Sequence, residues 1–258
     1  MNEIILNDIN TFSQYFTTFL FILLRTSIIV ALLPVIGGSQ IPSQFKIGLT
    51  VFIALLLTPV VKFQIVENQL AMLVVREIFL GIALGLTVRF IFLAVNMGGI
   101  FISHTMGMSM GTVFNPDLGH STQVAEVYGA MLMLFFLVAD IHHDLIFVLV
   151  KSFELLPGGQ LNILNVIPQI VAMMGKLFVV ALKIAAPVFV GVLITYLLSG
   201  FLYKVAPQLN IFFIVMPLNI FLGFMLMAAS IPAFKYILGV NFSTIRDEMI
   251  RIIMIAKG

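Results

Sequence analysis

One uncharged stretch near the C-terminal end of this chain determines the solvent in which it folds. Residues 205–234 contain no Asp, Glu, Lys or Arg, and the central part, 211–230, reads IFFIVMPLNIFLGFMLMAAS. An apolar helix of about 20 residues is long enough to cross the hydrocarbon core of a bilayer. A soluble domain has no use for an apolar run of this length. The stretch therefore predicts a membrane protein.

The composition extends this conclusion to the whole chain. Hydrophobic residues make up 61% of the 258 residues and charged residues only 9%, which is too few for an ordinary solvated surface. The formal net charge of +2 argues against a nucleic-acid partner. The absence of cysteine excludes disulfides and thiolate metal sites. Tryptophan is also absent and tyrosine is sparse, so the aromatic belt is thin and the chain is not expected to face lipid on all sides.

Apolar runs and prolines predict six helical segments that run nearly the length of the chain. Their approximate ranges are 12–33, 45–61, 71–101, 127–150, 170–202 and 211–238. Most of the prolines lie near segment ends, where they stop helices. Pro187 and Pro217 lie inside segments, where we expect kinks that neighbouring helices accommodate.

The C-terminal tail follows a different pattern, typical of an amphipathic helix. Apolar residues recur at helical spacing, with Arg246, Asp247 and Arg251 between them, and Ser243 or Thr244 is placed to cap the helix. The apolar positions are Ile245, Met249, Ile252, Ile253 and Ala256. Two interpretations are open: the tail docks on a partner at the cytoplasmic side, or it anchors the chain in the membrane interface.

The distribution of basic residues predicts a cytoplasmic C-terminus. With six spans, loops on the C-terminal side carry more Lys and Arg than loops on the other side, and such loops stay in the cytoplasm. The first group is Lys62, Arg76, Lys151, Lys235, Arg246, Arg251 and Lys257, and the second is Lys46 and Lys204.

Charged residues interrupt several of the predicted spans. An ion at a lipid-facing helix centre costs about 2.5–3.5 kcal/mol on insertion scales. Either these residues pair with one another or with carbonyls of neighbouring subunits, or some of them line an aqueous path. The residues are Arg25, Arg89, Asp140, Asp144 and Lys183. Gly81 and Gly85 form a Gly-x-x-x-Gly pair, which lets helices pack closely.

The segment 102–124 contains no Lys or Arg and is rich in methionine and glycine. Met106, Met108 and Met110 alternate with small residues, so an extended backbone would place three thioethers on one side. Methionine conforms to irregular gaps, and a strip of it can seal a passage and still yield. The alternative is a Gly-rich loop whose methionines fill a core.

The residue types that carry catalysis are not arranged for it in this sequence. There is no Ser-His-Asp order, nucleotide-binding loop or pair of catalytic carboxylates. His142 and His143 are adjacent, and adjacent residues on a helix point about 100° apart, so we do not expect both to ligate one metal ion. No enzymatic activity, metal or cofactor is therefore predicted.

Several motifs, in order along the chain, resemble the FliR family of flagellar biosynthesis proteins. The most distinctive is Ala206-Pro207-Gln208-Leu209-Asn210-Ile211-Phe212, followed by Pro217 and Gly223. The others are Glu77-x-x-x-Gly81-x-x-x-Gly85, Asn115-Pro116, and the stretch from Phe136 through His142-His143-Asp144 to Pro157-Gly158. The resemblance covers roughly residues 12–240, and its combination of motifs is specific.

The resemblance implies an all-α, membrane-associated, non-enzymatic protein made of helical hairpins. It implies a core subunit of the type III export gate in the flagellar basal body, at the bacterial inner membrane. One copy assembles with several copies each of FliP and FliQ into a funnel-like pore for unfolded flagellar subunits, with FlhB on the cytoplasmic side and FlhA as a further partner. Residues 1–258 would form one FliR-like domain, with a FliP-like part at about 1–170, a FliQ-like part at about 171–240 and the tail at 241–258.

The resemblance also implies a loop that plugs the closed pore, at about residues 107–115. The expected plug residues are Met106, Gly107, Met108, Ser109, Met110, Gly111, Phe114 and Asn115. Three other functions remain open from the residues alone. These are the equivalent subunit of a virulence injectisome, a small-molecule secondary transporter, which would need paired repeats with broken helices, and a plain membrane scaffold.

Overall fold

The computed structural model is helical throughout the part of the chain that it describes, residues 2–34, 41–61, 70–108, 122–156, 162–208 and 210–257. Side chains are described from Ser13 onward, except that of Phe212. The helices in chain order are α1 (Asn2–Leu32), α2 (Ser43–Leu57), α3 (Leu70–Thr105), α4 (Gln123–Val138), α5 (Ile141–Leu155), α6 (Ile163–Val205), α7 (Ile211–Ser243) and α8 (Ile245–Lys257).

Four helical stretches among the described residues are long and apolar enough to cross a membrane. They are Ser13–Leu32 in α1, all of α3, all of α6, and Phe213–Lys257, which contains most of α7 and all of α8. The pair α4 and α5, bent by 65° at a short break, is a fifth candidate. The predicted all-α, membrane-associated fold is confirmed.

Two of the six predicted segments were wrong: one is too short for a span, and the other is a bent pair of helices rather than one helix. The second, 45–61, corresponds to α2, whose 15 residues extend only about 22 Å and end in a turn that contains Pro59. The fourth, 127–150, is two helices, because Asp140 adopts a left-handed backbone conformation with φ 55°. By contrast, α6 and α7 each run as one helix through the expected kink sites, Pro187 and Pro217.

Eight of the nine basic residues that the sequence assigned to loops lie inside helices. They are Lys46 in α2, Arg76 in α3, Lys151 in α5, Lys204 in α6, Lys235 in α7, and Arg246, Arg251 and Lys257 in α8. Their assignment to loops was therefore wrong, and Lys62 lies outside the described residues. The cytoplasmic C-terminus stays a prediction.

The chain forms two compact units. Unit 1 comprises residues 1–89, 140–173 and 244–258, and unit 2 comprises 90–139 and 174–243. These units are defined by contacts within the chain, whereas the predicted FliP-like and FliQ-like parts are defined by family resemblance. The division into FliP-like and FliQ-like parts therefore stays a prediction.

In unit 1, the tail helix α8 packs on α5. All five apolar residues predicted for one face of this helix are buried, which confirms the amphipathic pattern. The backbone N–H of Asn162 donates to the carbonyl of Ala256 at 2.8 Å and so holds the end of the helix. Because the chain itself covers the apolar face, that face is available in this conformation neither to a membrane interface nor to a partner, and both interpretations of the tail stay predictions.

Glycine lets α3 approach its neighbours closely within each unit. In unit 1, a Cβ atom on Gly85 would lie 2.9 Å from the Cβ of Leu32 in α1. In unit 2, a Cβ on Gly99 would lie 2.5 Å from the Cα of Ala125 in α4. No side chain fits at such separations, so these positions admit only glycine without a shift of the helices.

Candidate functional site

A buried ion pair joins three helices of unit 1. Arg25 of α1 binds Glu77 of α3 through two parallel hydrogen bonds, Nε–Oε2 at 2.6 Å and Nη2–Oε1 at 2.7 Å. Arg25 and Glu77 are 0% and 2% exposed. The remaining terminal nitrogen of Arg25 donates to the hydroxyl of Ser152 in α5 at 2.7 Å, and the guanidinium lies 4.0 Å from the ring centre of Phe153. This two-point geometry is the strongest form of the arginine–carboxylate contact.

Arg25 was predicted from the sequence as a functional residue, but its partner Glu77 was missed. Glu77 was noted only as part of a motif, although it is an acidic residue within a predicted span. An acid and a base in two apolar helices are expected to pair, because either ion alone would be costly there. Ser152 gave no comparable signal, since an isolated serine is common in any helix.

The other four predicted mid-span charges have different surroundings. Arg89 is half-buried and donates to the carbonyl of Leu32, the last residue of α1, at 3.4 Å, where a cation is favourable. Asp144 of α5 is partly buried and lies 3.7 Å from Nη1 of Arg246 in α8. Asp140 is exposed at the break between α4 and α5, and Lys183 is exposed on α6. That another subunit covers Asp140 and Lys183 stays a prediction.

The predicted glycine pair faces α1 of the same chain. A Cβ on Gly81 would lie 3.2 Å from Ile28, one turn before the contact that Gly85 makes. Both glycines follow Glu77 at intervals of four residues, so the ion pair and the close helix contact lie on one face of α3.

Three groups that can bind metals lie together at the start of α5. Oδ1 of Asp140 is 3.5 Å from Nδ1 of His143 and 4.0 Å from Nε2 of His142, and the ligand atoms all lie within 4.8 Å of one another. We expected from helix geometry that His142 and His143 could not serve one metal ion, but their ring nitrogens lie close enough together to do so, because both rings turn towards Asp140. The absence of a metal stays a prediction.

The start of the predicted plug is a helix-ending turn rather than an extended strip. The N–H of Gly107 donates to the carbonyl of His104 at 3.1 Å, and the N–H of Met108 donates to that of Ser103 at 3.0 Å. With φ 81° at Gly107, this is a Schellman motif, which closes α3. The period-two arrangement of Met106 and Met108 was therefore wrong, because an extended backbone does not occur there.

Met106 is fully buried within unit 2. A Cβ on Gly223 of α7 would lie 2.5 Å from the terminal methyl carbon of Met106, so the glycine creates the space that this side chain fills. The plug residues Ser109, Met110, Gly111, Phe114 and Asn115 lie outside the described residues.

A groove of about 850 Å³ adjoins this turn within unit 2. Its wall combines the end of α3 with the facing ends of α6 and α7, and includes Met106, Gly107, Tyr203 and Asn210. The hydroxyl of Tyr196, also in the wall, donates to the carbonyl of Thr105 at 3.1 Å. The root of the predicted plug is thus tied to α6.

Large apolar side chains cover much of the outer surface of α6 and α7. In the most apolar part of α6, only 33% of the residues are buried inside the chain. Examples of exposed aromatic residues are Phe178, Phe189, Phe201, Phe213 and Phe221. A surface of this kind requires lipid or other protein as its neighbour.

These helices and the buried ion pair define an α-helical membrane protein. Residues 16–245 match the sequence family described as bacterial export proteins, family 1. The chain belongs to this family, and the resemblance found in its motifs is confirmed.

Three relatives illustrate the range of the family. The flagellar biosynthetic protein FliR of Escherichia coli K12 is 33% identical over 218 residues, which are 81% of this chain and 82% of that protein. The FliR protein of Bacillus subtilis strain 168 is 26% identical over 84% of this chain and 87% of that protein. The secretion system apparatus protein SsaT of Salmonella typhimurium LT2 is 26% identical over 62% of this chain and 63% of that protein.

Proposed function

We propose that this chain is a core subunit of the flagellar type III protein export gate and helps to form the pore for unfolded flagellar subunits. The family match over residues 16–245, with flagellar relatives that align over most of the chain, carries the proposal. The role is structural and non-enzymatic. The proposed partners are FliP and FliQ in several copies, FlhB and FlhA, in the inner membrane, with the C-terminus in the cytoplasm.

The length and exposure of α6 support a role inside an assembly. Its 43 residues extend about 65 Å, roughly twice the thickness of a bilayer core. Lipid can therefore cover only part of its exposed apolar surface. Other subunits are proposed to cover the rest.

The proposed plug extends from the cap of α3. Met106 and Gly107 form its root, because one is buried and the other closes the helix. Met108, Ser109, Met110, Gly111, Phe114 and Asn115 are proposed to obstruct the closed pore.

Deletion of residues 109–114 tests the plug and leaves the helix cap intact. Cells carrying this deletion are expected to leak ions and small dyes through the gate, because the obstruction is gone and the subunit still assembles. Deletion of residues 63–68, another six residues outside the described ranges, is the matched control and is expected to leave permeability unchanged. Unchanged permeability in the 109–114 deletion, with normal amounts of assembled subunit, would remove the plug role.

Removal of the gene tests the export role itself. Secretion of hook and filament proteins is expected to stop and to return when the full chain is supplied. Continued flagellar secretion without the chain would contradict the proposal. Transport of a small solute by the isolated chain in liposomes would instead favour the secondary transporter.

The equivalent subunit of a virulence injectisome is the second candidate. The similarity to SsaT supports it, although that alignment covers less of this chain than the one with the FliR protein of E. coli. Loss of effector secretion with intact motility after gene removal would favour this candidate. Loss of motility with no effect on effectors would favour the flagellar one.

A further inference from the structure

Lys183 is a charged residue at the centre of the longest helix. It stands 20 residues after the start of α6 and 22 before its end, or about 30 Å from each. A lysine stem reaches polar surroundings only from near the bilayer interface, and the 20 residues that follow Lys183 in α6, 184–203, carry no charge. The side chain is exposed, and among the described residues no carboxylate pairs with its ammonium group.

The backbone at the same residue adds a second polar group. Pro187 follows Lys183 by four residues and has no N–H, so the carbonyl of Lys183 loses the donor that an α-helix normally supplies. The ammonium group of Lys183 is a donor, and the carbonyl of Lys183 is an acceptor without its usual N–H partner. Both groups therefore lie at the same level of the helix.

The nearest residues around this polar spot are apolar, and the next charge on this face is Lys176, two turns earlier in α6. Val179, Ala186 and Val190 lie on the same face of α6 at helical spacing, and all three are exposed. Water would suit the ammonium group but not these side chains. Lipid would suit the side chains, but an ion there costs about 2.5–3.5 kcal/mol. A protein surface that is apolar and carries one carboxylate suits both.

We propose that this Lys183 face, formed by Val179, Lys183, Ala186, Pro187 and Val190, docks an apolar helix of a different subunit that carries an Asp or Glu at the level of Lys183. Neither α6 nor α7 contains an acidic residue, so the same helices of a second copy cannot supply the carboxylate. The ion pair fixes the register of the two helices, because sliding by one turn, about 5.4 Å, separates the charges. This inference rests on the proposed function, which places the chain in an assembly of several subunits.

The test replaces Lys183 in the full chain, produced together with the other export-gate subunits. Lys183→Met removes the charge and keeps a flexible stem that suits lipid better than lysine. We expect it to reduce the amount of other subunits retained in mild detergent by about tenfold or more, because the partner carboxylate is left buried without a counter-ion. Lys183→Arg is expected to retain them as the original chain does. Lys204→Glu, at the exposed end of α6, is the matched control and is expected to change retention less than twofold.

A selection for restored motility identifies the partner. Suppressors of Lys183→Glu are expected to neutralise or reverse an acidic residue in an apolar helix of another subunit. Retention unchanged by Lys183→Met, or suppressors confined to this chain, would overturn the inference. Failure of the original chain to retain any export subunit would instead overturn the proposed function.

A cysteine probe separates docking from an aqueous path. The natural chain has no cysteine, so Ala186→Cys places one thiol on the Lys183 face without removing the charge. In the assembled complex, a water-soluble maleimide is expected not to modify it. Rapid modification would show that this face lines water and would contradict the docking.

Discussion

At the residue scale, the ion pair of Arg25 and Glu77 is a buried charged contact in the core of unit 1. Burial of two ions is unfavourable unless they pair with good geometry, and here both oxygens of the carboxylate are used. Ser152 satisfies a further donor, and its own hydroxyl donates to the carbonyl of Leu149 at 2.6 Å. Removal of one partner therefore strands the other.

Arg25→Met is expected to destabilise the chain by about 3–5 kcal/mol, because Glu77 then stays buried without a counter-ion. The double variant Arg25→Met/Glu77→Leu is expected to lose less than the sum of the two single variants. Unfolding of the purified chain in mild detergent measures both effects. Lys151→Ala, which breaks an exposed pair with Glu154, is the control and is expected to change stability by about 0.5 kcal/mol or less. Strictly additive losses in the double variant would argue against the pair.

Gly99→Ala is expected to cost about 1–3 kcal/mol, because the new methyl group would meet the backbone of Ala125 and force two helices apart. Gly175→Ala in α6 is the matched control, since a Cβ there meets nothing within 4 Å. The control is expected to be neutral or to gain up to about 1 kcal/mol from helix propensity. Thermal unfolding of the two variants decides between them, and equal effects would contradict the close approach of α3 and α4.

At the scale of the element, the tail helix α8 separates a packed face from a polar face. Met249 is buried and Met254 is exposed, so one helix offers two methionines in opposite surroundings. Met249→Ala is expected to lose about 2–5 kcal/mol, because it leaves a cavity in unit 1. Met254→Ala is expected to stay within about 0.5 kcal/mol of the original chain. Limited proteolysis at the tail, scored for both variants, gives the comparison, and an equally protected tail would refute the packed position of Met249.

Helices were predictable from the sequence where periodicity was strong. The inner face of α8 was read correctly from five apolar positions, because a charged face contrasts with it. The break at Asp140 was not predictable, since apolar residues precede it without a Gly or Pro to mark a boundary. The residue at the break is itself the one local signal, because aspartate adopts the left-handed conformation more readily than most residues other than glycine.

The candidate site was predictable only in part, for physical reasons that differ from residue to residue. Arg25 drew attention because its charge is rare in an apolar span, but its partner lies 52 residues away and pairing over that distance depends on the fold. The turn at Gly107 had a local signal, because glycine commonly follows the last residue of a helix. The alternation of methionine with small residues concealed that signal.

At the scale of the whole molecule, the chain exposes apolar surface that requires contact with lipid or other protein. The ion pair lies inside unit 1, and close glycine contacts lie inside both units. By contrast, long apolar faces of α6 and α7 are not covered by the chain. A helix about 65 Å long extends beyond the apolar core of a bilayer, so lipid alone does not cover it. The proposed assembly with other export subunits would account for both features.

The native mass of the particle extracted from bacterial membranes in mild detergent tests this claim most directly. We expect the 28.5 kDa chain to emerge within a single complex several times its own mass, together with other export-gate subunits. A solitary, monodisperse chain that is fully active in liposomes would contradict the account.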